Sequence, residues 1–235
     1  MDAAETAAAR AAVVAILTRA PGSGGKSRLF AALGAVPDPV LSAALLLDTL
    51  DAAASHAWTR VVFVEPASAC NDVSALVPDE VRVMPQRPGD LGERMRGAMD
   101  DLFSAGAGAV AIIGSDLPEI DARAIRRAFD LLTREPRAVV LGPAHDGGYY
   151  LIAATHTPDL FSGIEWGSAG VLDMTLAAAR AHGLPVHCVE PTADVDTIED
   201  LRRIARTGAS GTSSRVGWRT RAWVTKSGLM DRLTE

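Results

Sequence analysis

The chain has 235 residues, 48% of them hydrophobic, with 23 Lys plus Arg against 29 Asp plus Glu and a formal net charge of -6. That length suits one generous domain with a sizeable core, and the acidic balance argues against a nucleic-acid or anionic-membrane partner. Lys26 and Lys226 are its only lysines.

Residues 1–12 are Ala-rich, carry Asp2 and Glu5, and read as a frayed N-terminus. The apolar run Val13–Leu17 follows and meets Arg19, Pro21 and glycines. It is too short for a signal-peptide core or a membrane span. Cys70 and Cys188 stand far apart in no metal or redox spacing, which suits a reducing compartment and a cytoplasmic location.

Val13–Leu17, Arg60–Val64, Val81–Met84, Val110–Ile113, Ala138–Leu141, Tyr149–Ile152 and Val186–Val189 read as strands. Between them, Leu41–Ala54, Leu91–Phe103, Ala122–Leu132, Val171–Ala181 and Ile198–Ala205 repeat apolar residues at helical spacing. Asp121 is an acidic cap before Ala122, and Gly183 marks a helix stop. Alternation of this kind implies an α/β fold with a mainly parallel sheet covered on both faces. Only seven residues separate Leu141 from Tyr149, too few for a helical crossover, so that pair is expected to be antiparallel. Three regions result: residues 1–12, a domain over 13–206, and a linker-like basic tail over 207–235. Trp218 and Trp223 in the tail leave room for packing on a partner subunit, such as a homodimer.

The first strand runs into Thr18-Arg19-Ala20-Pro21-Gly22-Ser23-Gly24-Gly25-Lys26-Ser27-Arg28. Glycines between a strand and a helix let backbone N–H groups approach an anion, and Lys26 and Arg28 add positive charge. Ala20 to Ser27 nearly meets a P-loop, with Ala20 in place of the first glycine. Pro21 and Arg28 sit awkwardly in that reading, but a P-loop NTPase or kinase stays an alternative.

Ser115-Asp116 follows the strand Val110–Ile113, at the sheet edge where open α/β folds bind ligands. Asp196 precedes a helix near the same edge. Two carboxylates beside a phosphate loop suit Mg²⁺ or Mn²⁺, although Asp196 can equally serve as a helix cap. His145-Asp146-Gly147-Gly148-Tyr149-Tyr150 is a turn whose glycines permit close approach to a ligand. Gln86 and the run Gly89-Asp90-Leu91-Gly92 form a loop entering a helix, able to read a nucleobase edge or merely to start the helix.

Seven ordered segments carry a resemblance: Pro21…Gly24, Lys26–Leu29, Gly89–Met95, Gly114–Pro118, Gly142–Ile152, Gly163–Trp166 and Asp194–Leu201. Together they resemble the radical-SAM/selenodomain-associated transferase 1 family, glycosyltransferase-like proteins of the nucleotide-diphospho-sugar transferase type. More distantly they are similar to 2-phospho-L-lactate guanylyltransferases. The resemblance implies a Rossmann-like GT-A fold that binds a nucleotide with Mg²⁺ or Mn²⁺. It implies phosphate contacts from Lys26 and Arg28 and metal ligation by Asp116 and Asp196, with Lys26, Arg28 and Asp116 as the catalytic set. Ala20, Pro21, Gly22, Gly24, Gly25, Gln86, Gly89, Leu91, Gly92 and Ser115 would complete the nucleotide site. Asp146, Gly147, Gly148, Tyr149 and Trp166 would border an acceptor.

The chain departs from the pattern in a first loop shorter by one residue and in Gly167-Ser168-Ala169 after Trp166. The expected activity is nucleotidyl transfer from an NTP to a small acceptor, phosphorylated or not, with release of pyrophosphate. NDP-sugar-dependent glycosyl transfer is the close alternative, and a nucleotide-binding protein without turnover a further one.

Overall fold

The computed structural model describes residues 11–207 and 217–228. One seven-stranded sheet organises them, with β1 (Ala12–Arg19), β2 (Trp58–Glu65), β3 (Arg82–Pro85), β4 (Ala109–Gly114), β5 (Val139–Pro143), β6 (Tyr149–Ala154) and β7 (Val186–Cys188) in the spatial order β3-β2-β1-β4-β6-β5-β7. All neighbours pair in parallel except β6, which inserts antiparallel between β4 and β5. The short connection from Leu141 to Tyr149 dictates that reversal.

Among the described residues eight α-helices accompany the sheet: α1 (Ser27–Ala32), α2 (Pro39–Ala52), α3 (Cys70–Ser74), α4 (Leu91–Ser104), α5 (Ala122–Arg134), α6 (Val171–Ala181), α7 (Ile198–Thr207) and α8 (Trp218–Lys226). The short α1 and α3 carry too few turns to show a periodicity. Along β1, Val14 and Ile16 face α2, α3 and α5, whereas Val13 and Ala15 face α4 and α6. Burial on both faces explains why the central strands are continuously apolar. The Asp121 carboxylate accepts from Arg123 N at 2.8 Å and starts α5, and Gly183 takes φ 63° just after α6.

From β1 the chain builds leftward to β2 and β3, then returns across α4 to β4 on the other side of β1. This reversal opens a crevice beyond the carboxyl ends of β1 and β4, the place where ligands bind in open α/β sheets. The mixed, mostly parallel sheet with helices on both faces is the architecture expected.

The basic tail differs from its linker-like composition. Residues 217–228 include α8, docked on α2 and α7, where Val224 and Thr220 are buried. The frayed N-terminus expected over 1–12 and the Gly/Ser-rich text after Thr207 lie almost wholly outside the described residues. None of the described helices is long and apolar enough to cross a membrane.

Candidate active site

The loop after β1 turns on three positive φ angles at alternate positions: Gly22 (89°), Gly24 (84°) and Lys26 (58°). Lys26 is the only non-glycine among the described residues held in the left-handed region. An L-residue resists that conformation, so its surroundings must hold it there. They do so through two ion pairs. The Lys26 ammonium lies 2.5 Å from Asp116 Oδ2 and also contacts Asp196 Oδ1. Burial opposes its charge, but the two carboxylates together outweigh that and raise its pKa above the ordinary value.

Asp116 is fixed from both sides. The Thr49 hydroxyl, fully buried in α2, donates to Ser115 O (3.1 Å) and accepts from Leu117 N (3.0 Å). Val195 N donates to Asp116 O at 3.0 Å and stitches the segment after β7 to the end of β4. Val195 is buried, and in an extended chain its two neighbours share the opposite side. Asp194 therefore joins Asp116 and Asp196, and all three offer an oxygen within 4.8 Å of one another. Burial, then the charges of Asp116 and Asp196, push Asp194 up to about 7, with Lys26 opposing. Three clustered carboxylates with one lysine fit a hard divalent cation, which takes carboxylate oxygens.

A cavity of about 630 Å3 opens beside this cluster, with Arg19, Lys26, Arg28 and Arg94 in its walls. Gln86 also lines it, but its amide nitrogen donates to Thr18 O (2.8 Å) and Phe63 O (2.9 Å). Only its side-chain carbonyl is left for a ligand. Gly89, at φ 130°, has no room for a side chain, because Glu93 folds back over it to accept from Asp90 N at 2.8 Å. Asp90 in turn accepts from Glu93 N, so the start of α4 is a reciprocal capping box. Leu91 and Ser115 line the same cavity. The loop residues Ala20, Pro21, Gly22 and Gly24 shape the turn without lining it, whereas Gly25 does line it.

A second cavity, about 520 Å3, lies on the other side of the carboxylates and takes in Asp146, Gly148, Tyr149 and Trp166. Asp146 Oδ1 accepts from Gly148 N (2.9 Å), and Gly147, at φ 90°, packs so closely on Ala169 O that no side chain fits. Tyr149 and Trp166 meet edge to face at 6.4 Å. The Tyr149 hydroxyl and Trp166 Nε1 are buried without a hydrogen bond of normal geometry, and the Thr175 hydroxyl beside Tyr149 donates instead to Val171 O. The Trp166 indole also rests on Gly92 in the first turn of α4, and Gly92, buried beneath it, does not line the first cavity. A Cβ at Gly92 would stand 2.6 Å from Trp166 Cζ2 and 2.9 Å from Phe161 O. Gly92→Ala gains helix propensity of about 1 kcal/mol, yet overpacking against a fixed carbonyl costs roughly 1–3 kcal/mol. We expect a lower Tm and a changed Trp166 fluorescence; an unchanged Tm would show that the contact yields freely.

The motifs Lys26, Arg28, Asp116 and Asp196 thus converge, as do Asp146, Gly147, Gly148, Tyr149 and Trp166. Two residues emerge only in three dimensions. Asp194 lies two positions before Asp196, and the alternation of an extended chain was its available signal. Arg94 approaches the first cavity from α4, with its Nε donating to Gly89 O (2.9 Å) and its NH1 3.3 Å from Glu65. A P-loop reading finds little support, since α1 has six residues and Lys26 turns to carboxylates.

No curated protein matches the chain in sequence. Among solved structures, a "putative nucleotide-diphospho-sugar transferase" from Desulfovibrio desulfuricans G20 is 29% identical, with TM-score 0.82, over 94% of this chain and 97% of that one. A cytidylyltransferase from Leptospira borgpetersenii is 14% identical, with TM-score 0.58, over 93% and 95%. A CMP:2-keto-3-deoxy-manno-octonic acid synthetase complexed with CTP is 13% identical, with TM-score 0.55, over 85% and 98%. The fold is thus the Rossmann-like one of nucleotide-diphospho-sugar transferases and cytidylyltransferases. Residues 47–168, which span α2 to the loop after Trp166, match the family model DUF2064, and the chain belongs to that family of uncharacterised proteins conserved in bacteria.

Proposed function

We propose that the chain is a divalent-metal-dependent nucleotidyltransferase that moves a nucleotidyl group from an NTP to a small acceptor. The observation that carries this reading is the carboxylate cluster of Asp116, Asp194 and Asp196 at the border of two cavities, one lined by four cationic side chains. The CTP complex of a protein with the same fold supports a nucleotide in the crevice. Asp116 and Asp196, with Asp194, would hold Mg²⁺ or Mn²⁺, which would supply charge neutralisation at the reacting phosphate.

Arg28, Arg94 and Arg19 bind the β- and γ-phosphates and keep the pyrophosphate leaving group neutralised. Gly89, Leu91 and the Gln86 carbonyl, which line the first cavity, flank the base. The second cavity holds the acceptor, so its oxygen meets the α-phosphorus at the shared border. Its lone pair forms the new O–P bond while the bond to the bridging oxygen of pyrophosphate breaks. A hydroxyl proton leaves to solvent at the cavity mouth.

The full chain with Mg²⁺ and each of the four common NTPs is expected to release pyrophosphate in the presence of acceptor. Asp116→Asn should lower that turnover at least 100-fold and leave the fold intact by circular dichroism. Glycosyl transfer is the second reading, and the D. desulfuricans structure favours it. Binding of an NDP-sugar with release of nucleoside diphosphate, and no pyrophosphate from any NTP, would decide for it.

A further inference from the structure

The two cavities that meet at the carboxylates differ in charge balance: cations outnumber acidic residues in the first, and acidic residues outnumber cations in the second. The first has Arg19, Lys26, Arg28 and Arg94 in its walls, and shares Asp116, Asp196 and Arg28 with the second, so the balance differs by Asp146 and Asp194 on one side and Arg19, Lys26 and Arg94 on the other. One of its acidic residues, Asp90, is engaged in capping α4. The second has Asp116, Asp146, Asp194 and Asp196, and Arg28 on the shared rim is its one cation. Its remaining walls are largely apolar, with Leu91, Met95, Ile112 and Val171 around the Tyr149–Trp166 pair. A phosphate ester placed there would face several carboxylates at short range, within the distance over which salt screens poorly, although Asp146 itself is exposed. A divalent cation on Asp116, Asp194 and Asp196 would still leave Asp146 pointing its charge at the acceptor.

We propose that the second cavity selects an acceptor with no anionic group: a hydroxylated, sugar-like compound whose carbon face lies on Tyr149 and Trp166. The nucleophile is then a hydroxyl and not a phosphate. Carboxylates accept hydrogen bonds from hydroxyls, and the Asp146 oxygen that does not bond Gly148 is available for one. Aromatic walls with a few convergent polar groups are the usual surroundings of such a ligand. Asp146 is the residue that sets the discrimination. It acts by charge, because its turn-forming hydrogen bond is kept by an amide as well as by a carboxylate.

This inference rests on the transferase reading, and one experiment separates the two. The full chain, labelled with ¹⁵N at tryptophan, is titrated with Mg²⁺ and a fluorescent NTP to test the nucleotide site. It is then titrated with matched pairs: glycerol and glycerol 3-phosphate, mannose and mannose 1-phosphate. The Trp166 indole resonance, assigned with Trp166→Phe, reports occupancy of the second cavity. At least one neutral member should shift it, at a concentration at least tenfold below its phosphate ester. Asp146→Asn should narrow that gap at least tenfold without changing affinity for the fluorescent NTP. The inference is overturned if the phosphate ester binds as well as its neutral partner, if no compound shifts Trp166, or if Asp146→Asn leaves the gap unchanged. Failure of the fluorescent NTP to bind would count against the transferase reading, whatever the acceptors do.

Discussion

Replacing Lys26 by Met should make the nucleotide-free protein bind Mn²⁺ more tightly, although Lys26 lies in the heart of the site. Its ammonium sits between Asp116 and Asp196, on oxygens that a divalent cation would use. It therefore competes with the metal and repels it. Two charges a few ångströms apart near a protein surface interact by about 4 kcal/mol. Lys26 can swing aside, so only part of that is recovered, and we expect roughly tenfold tighter binding, or about 1.4 kcal/mol. The same substitution should weaken NTP binding by about 10- to 100-fold, because a charge-assisted hydrogen bond contributes roughly 1.5–3 kcal/mol. Opposite signs from one substitution are the diagnostic outcome. Isothermal titration with MnCl₂ and then with NTP measures both. If Lys26→Met weakened both ligands alike, Lys26 would be a structural prop for the carboxylates and not a rival of the metal.

The prediction explains a local oddity of the backbone. Lys26 holds φ 58° with no side chain capping α1, and such strain persists only where the surroundings over-determine it. Here the over-determination is the pair of carboxylates, brought by β4 and by the segment after β7. A cation that takes over those oxygens would free Lys26 to turn toward phosphate. Lys26→Gly, which has no Cβ to resist the left-handed conformation, separates strain from charge: it should share the gain in Mn²⁺ affinity.

How far the site could be read from the chain depended on whether its signals were local. The glycines and cations after β1, Asp116 at the end of β4 and the Asp146-Gly147-Gly148 turn are short-range patterns tied to strand ends. The sheet-edge rule then places them together. The antiparallel β6 was legible from the length of one connection. Gln86 was legible as a site residue but not in its manner of use, because Thr18 O and Phe63 O, which hold its amide, come from other strands. Asp194 was hidden in plain view, since its partnership with Asp116 depends on Val195 N reaching Asp116 O across the sheet. Least legible was α8. Its apolar burial is confined to few positions, and what fixes it is a carboxylate about 170 residues earlier in the chain.

That carboxylate is Asp48, and its removal should have the largest structural effect. It is 1% exposed, in the middle of α2. Oδ2 accepts from Thr220 N and Thr220 Oγ1, both at 2.8 Å, and Oδ1 from Arg219 N (3.2 Å) and Arg219 NH1 (3.1 Å). Gly217 at the N-cap of α8 offers no side chain, so Asp48 caps that helix from outside and also neutralises the guanidinium. In Asp48→Ala the buried Thr220 hydroxyl, two helix N–H groups and part of Arg219 lose their acceptor at once. Arg219 keeps Asp51 at 2.6 Å, so the cost lies mainly in the buried hydrogen bonds to the carboxylate, at roughly 1.5–3 kcal/mol each and about 3–5 kcal/mol together.

The loss should appear first as local detachment of α8, with hydrogen exchange over Trp218–Lys226 faster by about 10²–10³-fold, since each 1.4 kcal/mol is a factor of ten. It should also reach the site. Val224 of α8 packs in one small core with Leu29, Phe30, Leu201 and Val195, and Trp223 meets Phe30 edge to face at 6.3 Å. Leu29 and Phe30 follow Lys26-Ser27-Arg28, and Val195 separates two carboxylates of the cluster. Asp48→Ala is therefore expected to weaken Mn²⁺ and NTP binding together, while Asp48→Asn, which keeps the shape and some of the acceptors, should fall between it and the native chain. If exchange in α8 accelerated with metal affinity unchanged, the docked tail would be an appendage. If both changed in step, the small core beneath Val195 is what holds the carboxylates in register.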